Sequence, residues 1–253
     1  KKNYSMKKIA AMAVLLTVTG IAGICQTTLN ITWFGQSTFL MKTGDGVKVL
    51  IDPASPGMIR IDLNESVDLV TVSHEHGDHN YVALAKGNPV VLRGLSGTEV
   101  ATIDETVKGI RVRTVASFHD NQGGARRGKN AIFIYDLPGL RVVHLGDLGH
   151  VLSEAQVKEI GTPDILMLPV GTGFTLDLPS AVEVIKQLNP KVLIPMHFTP
   201  ADAPAGGFRL GSVEDFLKAA GPSFEVKYSG HNEIFTAGKL PSRTAIVVMK
   251  TAE

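Results

Sequence analysis

The stretch 69–79, Leu-Val-Thr-Val-Ser-His-Glu-His-Gly-Asp-His, joins an apolar run to four metal-binding side chains. Such a density of polar groups is costly in a folded chain unless they share a ligand, because buried charge and unpaired imidazole are unfavourable. In an extended segment alternate side chains share a face, so His74 and His76 can bind one ion. The following glycine permits a change of direction that lets Asp78 and His79 face a second ion. The stretch therefore predicts a metal site directly after a strand.

Three further polar residues follow apolar, strand-like runs elsewhere in the chain. They are His119 after the run 110–118, Asp147 after the run 141–145 and His197 after the run 191–196. Open α/β architectures collect functional side chains at the carboxyl ends of strands. The recurrence predicts that these residues converge on the site that His74 begins.

The order of these motifs resembles the metallo-β-lactamase fold hydrolases. The segments 31–37 and 49–53 also resemble the first strands of that fold. Residues 169–175 resemble a loop of the branch that includes the ascorbate-6-phosphate lactonase. The resemblance spans about residues 29–250 and implies an α/β protein with α+β character, a four-layer αβ/βα sandwich with two packed sheets. It implies a site at one edge of those sheets.

The resemblance also implies two ligand sets joined by one bridging carboxylate. The first set is His74, His76 and His119, and the second set is Asp78, His79 and His197. The bridging carboxylate is Asp147. Nitrogen and oxygen ligands suit two divalent ions, with zinc expected and manganese or iron as alternatives. A metal-bound hydroxide would then attack a small ester, lactone or amide, with Asp78 and Asp147 as the catalytic carboxylates.

Four more residues are candidates for orienting a ligand or contacting substrate. Asp52, at a strand end, would orient a ligand histidine or serve as a turn residue. His150 lies in a loop, where it would contact substrate or be solvated. Arg126 belongs to the basic cluster 126–129, either a solvated hairpin tip or an anion-binding lip. For His231, a solvated loop histidine is favoured over a place near the site.

Composition narrows the function classes. The chain has 253 residues, 44% hydrophobic and 19% charged, with a net charge of +1. It therefore has material for a sizeable core, and we expect a single hydrolase domain over residues 26–253. The balanced charge argues against a nucleic-acid partner and favours a small-molecule substrate. The oligomeric state is left open.

The beginning of the chain has the pattern of a targeting segment. Lys7 and Lys8 precede the apolar run 9–25, which predicts a signal peptide over residues 1–25. We therefore expect export to the periplasm or beyond, with no membrane association after cleavage; a single membrane anchor is the alternative. Cys25 is the only cysteine, so the mature protein would have neither a disulfide nor a thiolate ligand.

Three rival functions stay open. A phosphodiesterase or nuclease of the same fold would need a cationic track, and the sequence offers only the cluster 126–129. A di-iron redox protein of the same fold would carry glutamate where this chain has His76. A non-catalytic metal-binding protein would lack a ligand, and the sequence contains all seven.

Hydrophobic patterning and turn residues predict the remaining elements. The predicted strands are 30–34, 37–42, 47–51, 69–73, 89–92, 110–116, 131–136, 141–145, 165–169, 191–195 and 243–249. The predicted helices are 80–86, 153–160, 178–188 and 212–220, with a capping box at Ser153 and Gln156.

Overall fold

The structure is a computed structural model that describes residue 2, residues 26–200 and residues 209–252. Apart from Lys2, the predicted signal peptide lies outside these residues, so it stays a prediction. None of the helices in the described ranges has the length and apolar character needed to cross a membrane.

Strands dominate the described residues. In chain order they are β1 Thr28–Gly35, β2 Thr38–Thr43, β3 Lys48–Ile51, β4 Leu69–Val72, β5 Val90–Arg93, β6 Leu95–Ser96, β7 Glu99–Val100, β8 Asp104–Val107, β9 Ile110–Phe118, β10 Lys129–Leu137, β11 Leu140–His144, β12 Ile165–Pro169, β13 Val192–Met196, β14 Glu225–Tyr228, β15 Asn232–Thr236 and β16 Ala245–Val248. The helices are α1 Glu154–Ile160, α2 Leu178–Leu188 and α3 Val213–Ala220, with a one-turn 3-10 helix at Val82–Leu84.

The strands form two large sheets that pack face to face. The first has the order β15-β1-β2-β3-β4-β5, and the second has the order β14-β16-β13-β12-β11-β10-β9-β8. Alternate residues of β1, Leu29, Ile31 and Trp33, are fully buried in the core between them. Thr71 of β4 shares a buried hydrogen bond of 2.6 Å with the hydroxyl of Tyr135 on β10. The predicted α/β class and its two packed sheets are confirmed.

The outer faces of the two sheets are covered differently. On the second sheet, α2 and α3 bury Val184, Ile185 and Phe216 in the main core. On the first sheet, Leu50 and Val70 point outward into a smaller cluster with Leu63 of the loop that precedes β4. Within the described residues this outer layer is therefore built from a loop and the 3-10 turn rather than from an α-helix.

The direction of the strands brings the predicted site residues to one edge. β3 and β4 run parallel in the first sheet, while β11, β12 and β13 run parallel in the second. β9 points the same way as β11, because each is antiparallel to β10. The carboxyl ends of β4, β9, β11 and β13 thus meet at one edge, where parallel sheets gather functional side chains.

Some element predictions were wrong or incomplete. The helix predicted over 80–86 is only the 3-10 turn Val82–Leu84, which buries no residue and has no side-chain cap at Tyr81. A helix this short does not recover the cost of nucleation. The strands β6, β7, β8, β14 and β15 were missed. They are short and mostly exposed, so their pairing depends on tertiary context rather than on an apolar pattern. The capping box at Ser153 is confirmed.

Candidate metal centre

Seven side chains from both sheets gather at this edge in two groups. The members of each group have ligand atoms within 4.8 Å of one another, and the groups are His74, His76 and His119, and Asp78, His79, Asp147 and His197. The first sheet supplies its four residues from the turn after β4, and the second supplies one residue after each of β9, β11 and β13. The structure brings together all seven residues that the sequence singles out.

The first group presents three imidazole nitrogens to a common point. His74 Nε2 lies 3.0 Å from His76 Nδ1, and the ring of His119 meets the ring of His74 edge-on with centroids 4.8 Å apart. Nitrogen atoms this close leave room for a single ion between them. The two histidines of the turn act as a pair because they are two residues apart on the same face.

The second group is centred on the carboxylate of Asp147. Its Oδ2 lies 3.2 Å from the Nε2 atoms of both His79 and His197, and 3.0 Å from His119 Nε2 in the first group. Asp78 Oδ2 lies 3.5 Å from His79 Nε2 and 3.6 Å from His197 Nε2. One carboxylate therefore contacts histidines of both groups, which is the geometry of a bridging ligand.

The electrostatics of the cluster follow from this crowding. Burial raises the pKa of the Asp147 carboxyl, but the neighbouring His197 and His79 outweigh burial and hold that pKa well below its ordinary value. For His197, burial lowers the pKa, yet the charge of Asp147 and its hydrogen bond raise it to about 9. Burial and the charge of His79 together bring the pKa of His74 well below its usual range. Asp147 is thus the anion that balances the buried histidines.

The donor set fits divalent metal ions. His79 Nε2 and Asp147 Oδ1 are buried and have no hydrogen-bond partner among the described residues. A buried polar atom left unpaired costs about 1–3 kcal/mol. His79 Nε2 lies inside the cluster, 3.2 Å from Asp147 Oδ2, where a cation would satisfy it. Imidazole nitrogen and carboxylate oxygen suit zinc, and also manganese and iron.

Most of the cluster is buried, and it is open to solvent on one side. His74, His79, His119, Asp147 and His197 are each no more than 2% exposed. His76 is exposed and Asp78 is half-buried, so solvent and small ligands approach from their side. Glu75 turns away from the cluster and forms an ion pair with Arg93 at 2.7 Å. The acidic residue inside the motif therefore has a structural partner.

Asp52, at the end of β3, fixes the orientation of one histidine in each group. It is fully buried, and its Oδ2 lies 2.7 Å from His79 Nδ1. A carboxylate accepts, so His79 Nδ1 donates and its Nε2 keeps a lone pair for an ion. The same carboxylate accepts a hydrogen bond from the hydroxyl group of Ser73. Because the hydroxyl proton of Ser73 is used in that bond, Ser73 Oγ accepts a hydrogen bond from His74 Nδ1 at 3.0 Å. The lone pair of His74 Nε2 then stays available for an ion in the first group.

The turns that carry these residues have unusual backbone conformations. Asp52 and His197 have positive φ angles, of 42° and 52°, although neither is glycine. Left-handed conformations of such residues cost of order 1 kcal/mol or more and persist where the surrounding structure enforces them. Each lies directly after a strand, where the chain must turn away from the sheet edge. Two of the five non-glycine residues with positive φ in the described ranges are therefore residues that build the cluster.

Sequence analysis missed Asn130 of β10, which holds the turn that carries Asp147. Asn130 is fully buried; its amide group donates to the Leu145 carbonyl at 2.9 Å and to Ser117 Oγ at 2.7 Å. Its carbonyl oxygen accepts from the Asp147 N–H at 3.0 Å. A Cβ on Gly146 would lie 2.3 Å from that oxygen, so the turn needs glycine there. In the sequence Asn130 is only an asparagine next to an apolar run, and it belongs to no recognisable motif.

The remaining candidates have different surroundings. His150 Nε2 accepts from the Phe118 N–H at 3.2 Å, and Nδ1 lies 2.8 Å from the Val151 carbonyl oxygen, so both nitrogens have backbone partners. His231 is exposed beside the end of β1, where its carbonyl accepts from the Trp33 N–H. Arg126 is exposed on the loop after His119. Their roles in substrate contact stay predictions.

The Asp52 and Ser73 contacts make a testable prediction about the two groups. Ser73→Ala removes the acceptor of His74 Nδ1, so we expect zinc to bind the first group about 10- to 100-fold more weakly and the second group almost unchanged. Asp52→Asn should weaken both groups. Titration of zinc in competition with a chelator gives one dissociation constant for each group, and these two constants measure the difference.

The matched control is Ser229→Ala, because Ser229 also donates to a carboxylate, that of Glu233, and none of its hydrogen bonds to described residues involves a residue of either group. It should leave both dissociation constants unchanged. Equal losses at both groups in Ser73→Ala would contradict the separate roles of Ser73 and Asp52.

Comparison with known proteins places this cluster in a family. A family model described as a β-lactamase superfamily domain matches residues 30–197. The chain belongs to this superfamily. The matched range begins in β1 and ends at His197, so it contains all seven residues of the two groups.

Individual relatives of the superfamily agree with the family match. A UPF0173 metal-dependent hydrolase from Archaeoglobus fulgidus is 34% identical over 194 residues, which cover 67% of this chain and 83% of that protein. The crystal structure of a Zn-dependent hydrolase of the metallo-β-lactamase superfamily from Thermotoga maritima has a TM-score of 0.68 and 37% identity. It covers 87% of this chain and 98% of that chain. Human tRNase Z, short form, has a TM-score of 0.51 and 13% identity over 68% of this chain and 93% of that one; it shares the fold alone.

Proposed function

We propose that this metal-dependent hydrolase of the metallo-β-lactamase superfamily uses two divalent ions, with zinc as the expected metal, to hydrolyse a small ester, lactone or amide. The observation that carries the proposal is the position of Asp147, whose Oδ2 contacts histidines of both groups. A structural zinc site is closed by four ligands around one ion. Seven ligands in two groups, with His76 and Asp78 on the open side, instead fit a reaction centre.

The chain's own residues have distinct roles in this proposal. A bound divalent ion would supply a Lewis acid and lower the pKa of a coordinated water to roughly 7. Asp147 holds the two groups at a fixed separation, and Asn130 fixes the turn that presents it. Asp78 is the half-buried carboxylate at the open side. Burial raises the pKa of Asp78, but the neighbouring imidazoles of His197 and His79 bring that pKa far below its ordinary value. Asp78 is therefore ionised at neutral pH and can orient a water molecule there.

The rival functions have less support. An extended nucleic acid needs a cationic track. In the basic cluster 126–129, Lys129 forms an ion pair with Glu99 and Arg127 donates to the Phe174 carbonyl, so the cluster is a short, partly engaged group of cations and not an extended track. A non-catalytic metal-binding protein would be expected to lack a ligand, whereas the two groups contain all seven.

The first test is metal content combined with turnover. Protein saturated with zinc and freed of excess metal should contain about two ions per chain, because seven ligands exceed one tetrahedral shell. The loaded protein should hydrolyse p-nitrophenyl acetate or a γ-lactone faster than it cleaves RNA or DNA. Chelator-treated protein is the control. One ion per chain would contradict the dinuclear site, and a nuclease rate above every ester and lactone rate would reverse the order of functions.

A further inference from the structure

The loop that follows His119 is held in one conformation by a single carboxylate. Asp120, 8% exposed, accepts four backbone hydrogen bonds of 2.8–2.9 Å. Their donors are the N–H groups of Gln122, Gly124, Arg126 and Arg127. The Gly128 carbonyl, at the far end of the loop, accepts from the His119 N–H. Loop 120–128 is therefore a rigid extension of a metal-ligand position and not a mobile tip.

The same loop packs directly against the segment that carries Asp147. A Cβ on Gly149 would lie 2.4 Å from the backbone nitrogen of Asp120, so these two backbones are in close contact. Gly149 also donates its N–H to the Phe118 carbonyl. The position of the loop relative to the bridging carboxylate is thus fixed by backbone contacts.

Arg127 joins this loop to a second loop, residues 171–175. Its guanidinium lies 4.4 Å from the centre of the Phe174 ring and donates to the Phe174 carbonyl at 3.2 Å. Loop 171–175 in turn reaches the cluster, because Gly171 donates its N–H to the His197 carbonyl. The two loops together form a rim beside the metal groups, which we call the arginine rim, residues 120–128 and 171–175.

The two arginines of the rim differ in their surroundings. Arg127 is committed to Phe174, whereas the side chain of Arg126 is exposed and has no ion pair or side-chain hydrogen bond within the described part of the chain. The carboxylate of Asp120 is occupied by backbone N–H groups, so it does not neutralise Arg126 through a side-chain contact. A guanidinium held on a rigid loop can bind a carboxylate or phosphate group with two parallel hydrogen bonds.

We propose that the arginine rim recognises an anionic substituent, a carboxylate or phosphate group, on the substrate through Arg126, while Arg127 holds the rim in place. This inference rests on the proposed function, because it assumes that the reacting bond lies at the metal groups. It makes the substrate a small acidic ester, lactone or amide. A neutral substrate would leave Arg126 without a role.

Binding and turnover test the two levels of the proposal separately. Glutarate and inorganic phosphate are titrated into the zinc-loaded protein by calorimetry, in the wild type and in Arg126→Gln. Loss of a charge-assisted pair corresponds to roughly 10- to 100-fold weaker binding. We expect that loss for at least one anion, and the anion that shows it identifies the substituent. Arg126→Lys should retain part of the affinity because the charge remains.

Turnover of two esters with the same leaving group gives the second readout. Mono-p-nitrophenyl glutarate should have a lower KM than p-nitrophenyl acetate, and Arg126→Gln should raise the KM of the glutarate ester to that of the acetate. The control is Arg243→Gln, an exposed arginine next to the amino end of β16, at the opposite edge of the sheet. Equal anion affinities in the wild type and in Arg126→Gln, or no anion binding at all, would contradict the proposal that the arginine rim recognises an anion. Anion binding lost in Arg126→Gln, with neither ester hydrolysed, would keep the rim and contradict the proposed ester hydrolysis.

Discussion

Asp147→Asn is expected to lower hydrolysis by roughly a hundredfold or more, a larger loss than replacing a residue that only orients a ligand. The asparagine side chain has nearly the same shape, but its neutral amide is a weaker ligand than a carboxylate. Asp147 is the one residue whose oxygen contacts histidines of both groups, so the change should weaken both ion sites. Zinc content should fall below two ions per chain.

The measurement is kcat/KM together with elemental analysis on the same samples, and the matched control is Asp45→Asn. Asp45 is an exposed aspartate in the turn between β2 and β3, remote from the cluster. In the metal-free variant, the pKa of His197 should also fall from about 9, because the carboxylate that raises it is gone. Full activity with two bound ions in Asp147→Asn would remove Asp147 from the reaction centre.

The metal groups could be predicted from the sequence because their chemistry is local. Three histidines and an aspartate within six residues have few uses besides metal binding. The other ligands each follow a strongly apolar strand, a pattern that survives in the structure as β9, β11 and β13. Local patterns therefore identify both the ligands and the edge of the sheet where they meet.

The residues that support those ligands could not be found in this way. The roles of Asn130 and Ser73 depend on residues distant in the sequence: Asp147 donates to Asn130 across 17 residues, and Ser73 donates to Asp52 across 21. A buried asparagine or serine in a strand has many possible partners, and composition does not select among them. The exposed strands β14 and β15 were missed for a related reason, since their pairing with β16 and β1 supplies the order that their own residues do not.

Gly171→Ala is expected to have the second large effect, on both stability and the second metal group. An alanine Cβ at this position would lie 2.0 Å from the His197 carbonyl oxygen and 2.9 Å from Leu210 Cβ. The backbone of His197 has little room to move, because His197 already has a strained φ of 52° and its ring is held 3.2 Å from Asp147. Overpacking of this kind costs about 1–3 kcal/mol. The backbone of His197 would shift, and its imidazole would leave the position that the second ion requires.

Gly230→Ala is the matched control, since a Cβ there meets no atom within 4 Å and its backbone is not left-handed. Urea unfolding of both variants, metal-free and zinc-loaded, separates the two consequences. A steric cost alone lowers the free energy of unfolding equally in both forms. A displaced His197 also removes part of the stabilisation by zinc, because that gain depends on the ratio of ion concentration to dissociation constant. We expect the loss to be larger in the zinc-loaded form. Equal losses would mean that Gly171 protects the fold but does not position the ligand.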